Sequence, residues 1–285
     1  MATLLEGRKI ASEIKERIKN EVSGLKQKTG KTPVLVALSV GQNAASGVYI
    51  KSQGRVAEEL GIAYRLVSLK EGISEKDLIA EIRKLNSDLL VHGIIIQTPL
   101  PKEINLHEAV AAVSAGKDAE GMHPENLGKL LLGCSKIAPC TALGCMELLR
   151  AYQIKLYGKE VVIVGHSEIV GKPLSLMLVK EFATTTVCHI ATSEAHKLQD
   201  HVSRAEILIV AVGKANLIKG DWIKEGAVVI DVGINRVGDK LVGDVEFEAA
   251  EKRAAFITPV PGGVGPLTVT MLMQNTLELF KQSLK

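Results

Sequence analysis

Aromatic side chains are scarce in this chain: Phe, Trp and Tyr together make up 3% of it. A core of any size must therefore be built from Val, Ile, Leu and Ala, and an aliphatic interior suits buried parallel strands. Long apolar runs are also missing. None approaches the roughly 20 residues that a membrane span requires. Arg8 and Lys9 arrive before any apolar stretch long enough for a secretory leader, so the expected location is the cytoplasm. Neither sign of charge dominates. The net charge is +3 with both signs interspersed, which gives no footprint for nucleic acid or a membrane surface. CxxC spacing is absent among Cys134, Cys140, Cys145 and Cys188. No zinc or other metal site is expected, and the thiols read as reduced and mostly buried.

What is present is enough chain for two domains: 285 residues, against a prior of roughly 150 per domain. Apolar residues at Ile10, Ile14, Ile18, Val22 and Leu25 predict a helix over 10–28 that stops at Gly30. Strands are expected at 34–40, 64–69 and 93–97, with helices at 46–60 and 74–86 between them. Apolar strands separated by helices argue for a parallel sheet covered on both faces. From 100 to about 143 the pattern breaks down around Pro99, Pro101, Pro124 and Pro139, which reads as a loop-rich seam between domains. Alternation then resumes, with strands expected at 161–165, 184–188, 207–212 and 227–231, before a C-terminal helix over 268–284. The expected fold is α/β with two domains and a cleft between them. Residues 1–122 form an α/β substrate domain, and 123–285 a Rossmann-like doubly wound domain whose last helix packs back on the first.

The expected dinucleotide site follows the strand at 161–165. Gly165 lets the chain turn tightly and approach a pyrophosphate, with His166 and Ser167 beside it, and Gly171 opens a helix whose amides and dipole favour an anion. Its spacing, GxSxxxG, departs from GxGxxG. The next strand ends at Cys188-His189-Ile190-Ala191-Thr192. No acid is there to hold a ribose, as NAD sites commonly have. Cations for the extra phosphate of NADP are thin too, with Lys172 and Lys214 the only ones that could reach in. The cofactor read from these residues is NAD(P)+, with NAD favoured.

In the first half, Tyr49 and Gln53 lie four apart on the expected helix and face the same way, with Val56 and Leu60 continuing that face inward and Lys51 aimed almost oppositely. Further motifs are Gly93–Gln97 with Pro99-Leu100-Pro101, Lys117-Asp118-Ala119-Glu120-Gly121 with His123-Pro124, Pro139-Cys140-Thr141, and the stretch from Asp231 to Arg236. Gly243-Asp244-Val245 and 258–268, including Pro261, Gly262 and Gly263, complete the set. In their order and over essentially the full length, with 40–46 and Tyr49, these resemble the methylenetetrahydrofolate dehydrogenase/cyclohydrolase (FolD) family.

The resemblance implies oxidation of 5,10-methylenetetrahydrofolate with hydride passing to NAD(P)+, followed by hydrolysis of the methenyl product to 10-formyltetrahydrofolate, in a homodimer. It implies that Tyr49 stacks on the folate, that Gln97 hydrogen-bonds near the reacting centre, and that Glu120 holds the pterin's amide and amino edge. Pro261, Gly262 and Gly263 would line the same site. Gly165, His166, Ser167, Gly171, Ile190 and Ile234 would contact the dinucleotide.

Two departures stand out. Where the family places lysine four residues after the tyrosine, this chain has Gln53, and the second acid of Lys-Asp-x-Asp-Gly is Glu120. Thr98, Ala142 and His166 are lesser ones. Hydride loss leaves a cation stabilised by its flanking nitrogens, so that step needs alignment and no proton transfer. Water attack on the methenyl cation must shed a proton, which calls for an acid–base group. A carboxamide does not titrate there. Dehydrogenase activity is therefore expected, with cyclohydrolase activity weak or absent. The rival readings are the full bifunctional enzyme, a catalytically silent folate-binding paralogue, and a hydroxy-acid dehydrogenase of shikimate type. The last would need a Lys–Asp pair beside the alcohol.

Overall fold

The computed structural model of the chain describes residues 1–41 and 44–285. Gln42 and Asn43, part of the stretch 40–46, lie outside the described residues. In chain order the strands are β1 (Thr3–Leu4), β2 (Val34–Val40), β3 (Ala63–Leu69), β4 (Gly93–Ile96), β5 (Glu160–Val164), β6 (Thr184–Cys188), β7 (Ile207–Val210), β8 (Val228–Asp231), β9 (Asn235–Val237), β10 (Lys240–Val242) and β11 (Phe256–Ile257).

The chain forms two compact units. One comprises Glu13–Cys140 and Val269–Lys285. Its sheet is parallel, in the order β3-β2-β4. The central strand β2 and the edge strand β4 are buried almost throughout, because their Val, Leu and Ile side chains meet apolar neighbours on both faces. Edge strand β3 is exposed or half-buried along its length, so the sheet is not covered at that edge. Val36, Leu38, Ile94 and Ile96 form a core with Leu78, Ile82 and Ala109. Each Val, Leu or Ile among them stabilises the fold by roughly 1.5–3 kcal/mol when fully buried.

The other unit comprises Met1–Ser12 and Thr141–Thr268. Its six-stranded sheet runs β1-β11-β8-β7-β5-β6, with every neighbouring pair parallel. Val162, Val164, Leu208, Val210 and Val229 supply its core. From β5 onward the order is second, first, third, fourth, fifth, so the connection reverses direction between β5 and β7. This doubly wound arrangement places a crevice at the carboxyl ends of those two strands.

The expected helices at 10–28 and 46–60 are observed at Gly7–Thr29 and Ala44–Glu59. The region 100–143 is less irregular than its prolines suggest. Asn105 caps Leu106–Ala112 through its side chain. Pro124 stands at the start of Pro124–Leu131, where its missing N–H costs nothing. A third helix, Cys140–Ala151, begins directly after Pro139. Among the described residues no helix is long and apolar enough to cross a membrane.

Candidate active site

Helix Ala44–Glu59 carries Tyr49 and Gln53 on the face that Val56 and Leu60 bury. Lys51 is exposed. Gln53 is fully buried at 0% exposure. Its Oε1 accepts from Gln97 Nε2 at 3.0 Å and from the Tyr64 hydroxyl at 3.0 Å. Its Nε2 has no hydrogen-bond partner among the described residues. Gln97 is reached by β4, whose end carries it beside Gln53, and its own N–H donates to Leu38 O at 2.8 Å. Burial raises the Tyr49 phenol far above its usual range. Cys140 and Glu120 add to the rise, while the Gln53 amide opposes it. Tyr49, Gln53, Gln97 and Glu120 are thus brought into one cluster.

The acidic segment is anchored to the same sheet by a bridge between Ile94 and Asp118. Asp118 is buried and serves as a clamp. Its Oδ1 accepts from Gly121 N at 2.9 Å, and its Oδ2 from His123 N at 2.7 Å and Asn126 Nδ2 at 2.9 Å. Lys117 Nζ donates to the carbonyls of Leu85, Asn86 and Asp88, closing the end of helix Glu75–Ser87. Glu120 is therefore the carboxyl left for a ligand. Burial first, and then the neighbouring Asp118 charge, push it up to about 7. Cys140 and Asn275 complete the surroundings. Asn275 Nδ2 ties the carbonyls of Ala119 and Ala138 at 2.9 and 3.0 Å, and the Cys140 thiol, raised by burial, donates to Ala119 O at 3.5 Å. The sequence signal for Cys140 is its place in Pro139-Cys140-Thr141. For Asn275, inside an apolar helix, there is none.

At the β5/β7 reversal a cavity of ≈ 370 Å³ is lined by Gly165, His166, Ser167, His189, Ile190 and Lys214, among others. Gly165 has φ +121°, and a Cβ there would stand 2.3 Å from Ala211 O. A Cβ on Gly171 would stand 1.9 Å from Gly165 O. Only glycine fits at either place, so strand end and helix start close into a cradle suited to a dinucleotide. Ser167 Oγ accepts from Val170 N at 3.2 Å. The His166 and His189 rings lie 5.2 Å apart. Lys172 pairs with Glu168 at 3.3 Å, while Lys214 lines the cavity. Ser193, which sequence reasoning did not single out, lines it as well.

Ile234 is 59% exposed beside Gly265 and is not among the lining residues. Neither are Pro261, Gly262 and Gly263, which form a separate turn in which Gly262 O accepts from Arg8 N and Gly263 N donates to Pro259 O. A second cavity, ≈ 410 Å³, opens at the opposite, amino ends of the strands around Lys159 and Glu206. Ligands of open parallel sheets bind at the carboxyl ends, which favours the smaller cavity.

Buried Asp244 shapes the loop that follows β7. Its Oδ2 accepts from Val212 N and Gly213 N, and its Oδ1 from Lys214 N and Asn235 Nδ2, all within 2.9 Å. Asp231 accepts in turn from the amides of Gly233, Asp244 and Val245. Burial raises Asp231 to about 6, against those backbone donors.

Comparison with known proteins finds two family matches. Residues 5–120 match the tetrahydrofolate dehydrogenase/cyclohydrolase catalytic domain, and 139–284 the NAD(P)-binding domain of the same name. The chain is 49% identical over 284 residues to a Geobacter metallireducens protein named bifunctional protein FolD 2, with 99% of this chain and 98% of that one covered. A Campylobacter jejuni structure described as the bifunctional enzyme FolD, methylenetetrahydrofolate dehydrogenase/cyclohydrolase, superposes with TM-score 0.96 at 45% identity over 99% of each chain. A Trypanosoma brucei methylenetetrahydrofolate dehydrogenase-cyclohydrolase, complexed with NADP and an inhibitor, gives TM-score 0.95 at 39% identity over 100% of this chain and 99% of its own.

Proposed function

The chain belongs to the tetrahydrofolate dehydrogenase/cyclohydrolase family, and on that premise we propose that it oxidises 5,10-methylenetetrahydrofolate to the methenyl cation while hydrolysing that cation weakly or not at all. The observation that carries this reading is the fully buried carboxamide of Gln53 at the place where the family has lysine. NAD(P)+ supplies the hydride acceptor, and the Gly165–Gly171 cradle with its adjoining cavity fits such a ligand. On the folate side, Tyr49 offers a stacking face, and Glu120 pairs with the amide and amino edge of the pterin. Gln97, held by Gln53, hydrogen-bonds near the reacting carbon. Pro261, Gly262 and Gly263 complete the substrate contacts, and Ile234 those of the dinucleotide.

Oxidation needs alignment alone, and this cluster supplies it. Hydrolysis needs a group that takes a proton from water near neutral pH. Gln53 has no such proton chemistry, and burial keeps the Tyr49 phenol protonated. The Lys117 ammonium is committed to three backbone carbonyls, and Lys51 faces away. A positioned acid–base group is typically worth 10²–10⁴-fold, so Gln53→Lys is expected to raise release of 10-formyltetrahydrofolate by about that order while oxidation continues. Fast hydrolysis by the native chain, unchanged by the substitution, would overturn the assignment.

The fully bifunctional reading has one observation in its favour: Glu120 at about 7 lies in the range of an effective general base. The same measurement separates the two readings. For the cofactor we propose NAD over NADP, because Lys214 is the only lysine or arginine lining the cavity among the described residues. The ratio of kcat/KM for the two dinucleotides tests this, with a larger value for NADP as the contrary result. A cytoplasmic homodimer completes the proposal.

A further inference from the structure

The Gln53 carboxamide is held from both sides at one atom. Oε1 takes a hydrogen bond from Gln97 Nε2 and another from Tyr64 Oη, each at 3.0 Å. Two donors saturate the carbonyl, and the amide's other end, Nε2, is left as a buried donor with no hydrogen-bond partner among the described residues. A buried N–H without an acceptor is costly, so its persistence points to an acceptor supplied by a ligand. The Tyr49 phenol oxygen approaches the amide from the Nε2 side and interacts with it as a hydrogen-bond acceptor, outside full hydrogen-bond geometry. Of the two N–H groups of the NH2, one therefore faces Tyr49 and the other is left for a ligand.

The second anchor, Tyr64, is a half-buried residue of β3, the exposed edge strand of the sheet. Burial pushes its phenol up to about 12, so it remains a donor across the working pH range. Its ring reaches Gln53 over the backbone of the next residue. A Cβ at Gly54 would meet the ring at 3.3 Å, tighter than ordinary contact. Gly54 therefore leaves the space that Tyr64 occupies, and Gln53, Gly54 and Tyr64 act as one fitted set.

Resting on the folate reading above, we propose that Tyr64 is a positioning residue: it fixes the Gln53 carboxamide so that its NH2 is presented as a neutral donor to an acceptor atom of the bound folate. The residue that replaces the family's lysine thus keeps a binding role, and Tyr64 sets its orientation. A lysine at 53 would present three donors and no acceptor. It could not take these two hydrogen bonds as they stand, and Tyr64 and Gln97 would have to turn their oxygens toward it.

The test is a double-substitution cycle read by calorimetric binding of tetrahydrofolate. Tyr64→Phe keeps the ring beside Gly54 and removes only the hydroxyl. It is expected to weaken tetrahydrofolate binding roughly tenfold, on the scale of one buried hydrogen bond, while leaving dinucleotide binding unchanged. In a Gln53→Met background, where no carboxamide remains to be oriented, Tyr64→Phe is expected to change binding less than twofold. An equal loss in both backgrounds, or no loss in the native one, overturns the role of Tyr64. Failure of the unsubstituted protein to bind tetrahydrofolate overturns the folate reading itself, so the two failures are told apart.

Discussion

Glu120 is half-buried as a residue, but its carboxyl is desolvated and feels the Asp118 charge, and both conditions favour the neutral form. Its pKa of about 7 lies well above the value near 4.3 expected in the unfolded chain. A carboxyl raised in this way favours the folded state while it is protonated. That contribution is complete below the unfolded value and is lost as pH climbs through 7. At roughly 1.4 kcal/mol per unit over the about 2.7 units between the two values, the loss approaches about 4 kcal/mol by pH 8. Glu120→Gln is neutral at every pH, so it is expected to be more stable than the native chain by up to about 4 kcal/mol at pH 8 and by only about 1 kcal/mol at pH 5, as read by urea unfolding. An equal difference at both values would remove titration as the cause. In the folate contact proposed above, the pterin edge would donate hydrogen bonds and so select the ionised carboxylate. Tetrahydrofolate affinity should therefore improve by up to about tenfold per unit as pH rises toward 7, then level off, and the slope should vanish in Glu120→Gln. At this scale the sequence carried only part of the cluster. Helical spacing relates Tyr49 to Gln53, but nothing local relates Gln53 to Gln97, a partner 44 positions away that the fold delivers through β4. Tyr64 was hidden for a similar reason, because a tyrosine in a strand pattern reads as β propensity.

Strands and loops set where the dinucleotide can go, and one loop depends on a single carboxylate. Asp244 gathers four donors, of which the backbone N–H groups of Val212, Gly213 and Lys214 fix the path of the chain beneath the cavity. Asp244→Asn keeps the size but replaces an acceptor oxygen with an amino group that faces N–H donors. Leaving buried donors unpaired costs about 1–3 kcal/mol each. The expected result is a stability loss of about 2–4 kcal/mol by denaturant unfolding and a dinucleotide KM raised roughly tenfold or more. A stability loss with an unchanged KM would mean that the loop does not shape the site. The elements themselves were largely legible. Continuous apolar runs such as Val161 to Val164 have few alternatives to a buried parallel strand, and Gly30, at φ +68°, stops the first long helix as its position suggested. What escaped were elements held by single side-chain contacts. The helices around Asn105 and Pro124 are short and weakly periodic, and the β9–β10 hairpin is exposed and small, so no apolar stripe announces any of them.

Over the whole molecule, the ends of the chain belong to the opposite halves of the sequence. Met1–Ser12 joins the unit made from Thr141–Thr268, and Val269–Lys285 joins the one made from Glu13–Cys140. Periodicity does not reveal this, because helices Gly7–Thr29 and Val264–Ser283 pass from one unit to the other without a break. The physical link at the amino terminus is the pairing of β1 with β11, together with Leu5, which is wholly buried and donates its N–H to Ile257 O at 2.8 Å. At the carboxyl terminus it is Phe280, also wholly buried, whose ring packs nearly perpendicular to that of His92 with centroids 4.7 Å apart. Emptying these positions should strike distant stretches of sequence. Phe280→Ala, at about 3–5 kcal/mol for a buried aromatic, is expected to speed hydrogen exchange in β2 and β4 and to weaken folate binding more than dinucleotide binding. Leu5→Ala, at about 2–5 kcal/mol, is expected to speed exchange in β8 and β11 and to act on dinucleotide binding first. Local opening of this kind follows the cooperative unit in which the cavity lies, whatever its position in the chain. If each substitution instead raised exchange evenly over both units, they would form one cooperative block, and the crossed assignment of the chain ends would have no energetic meaning.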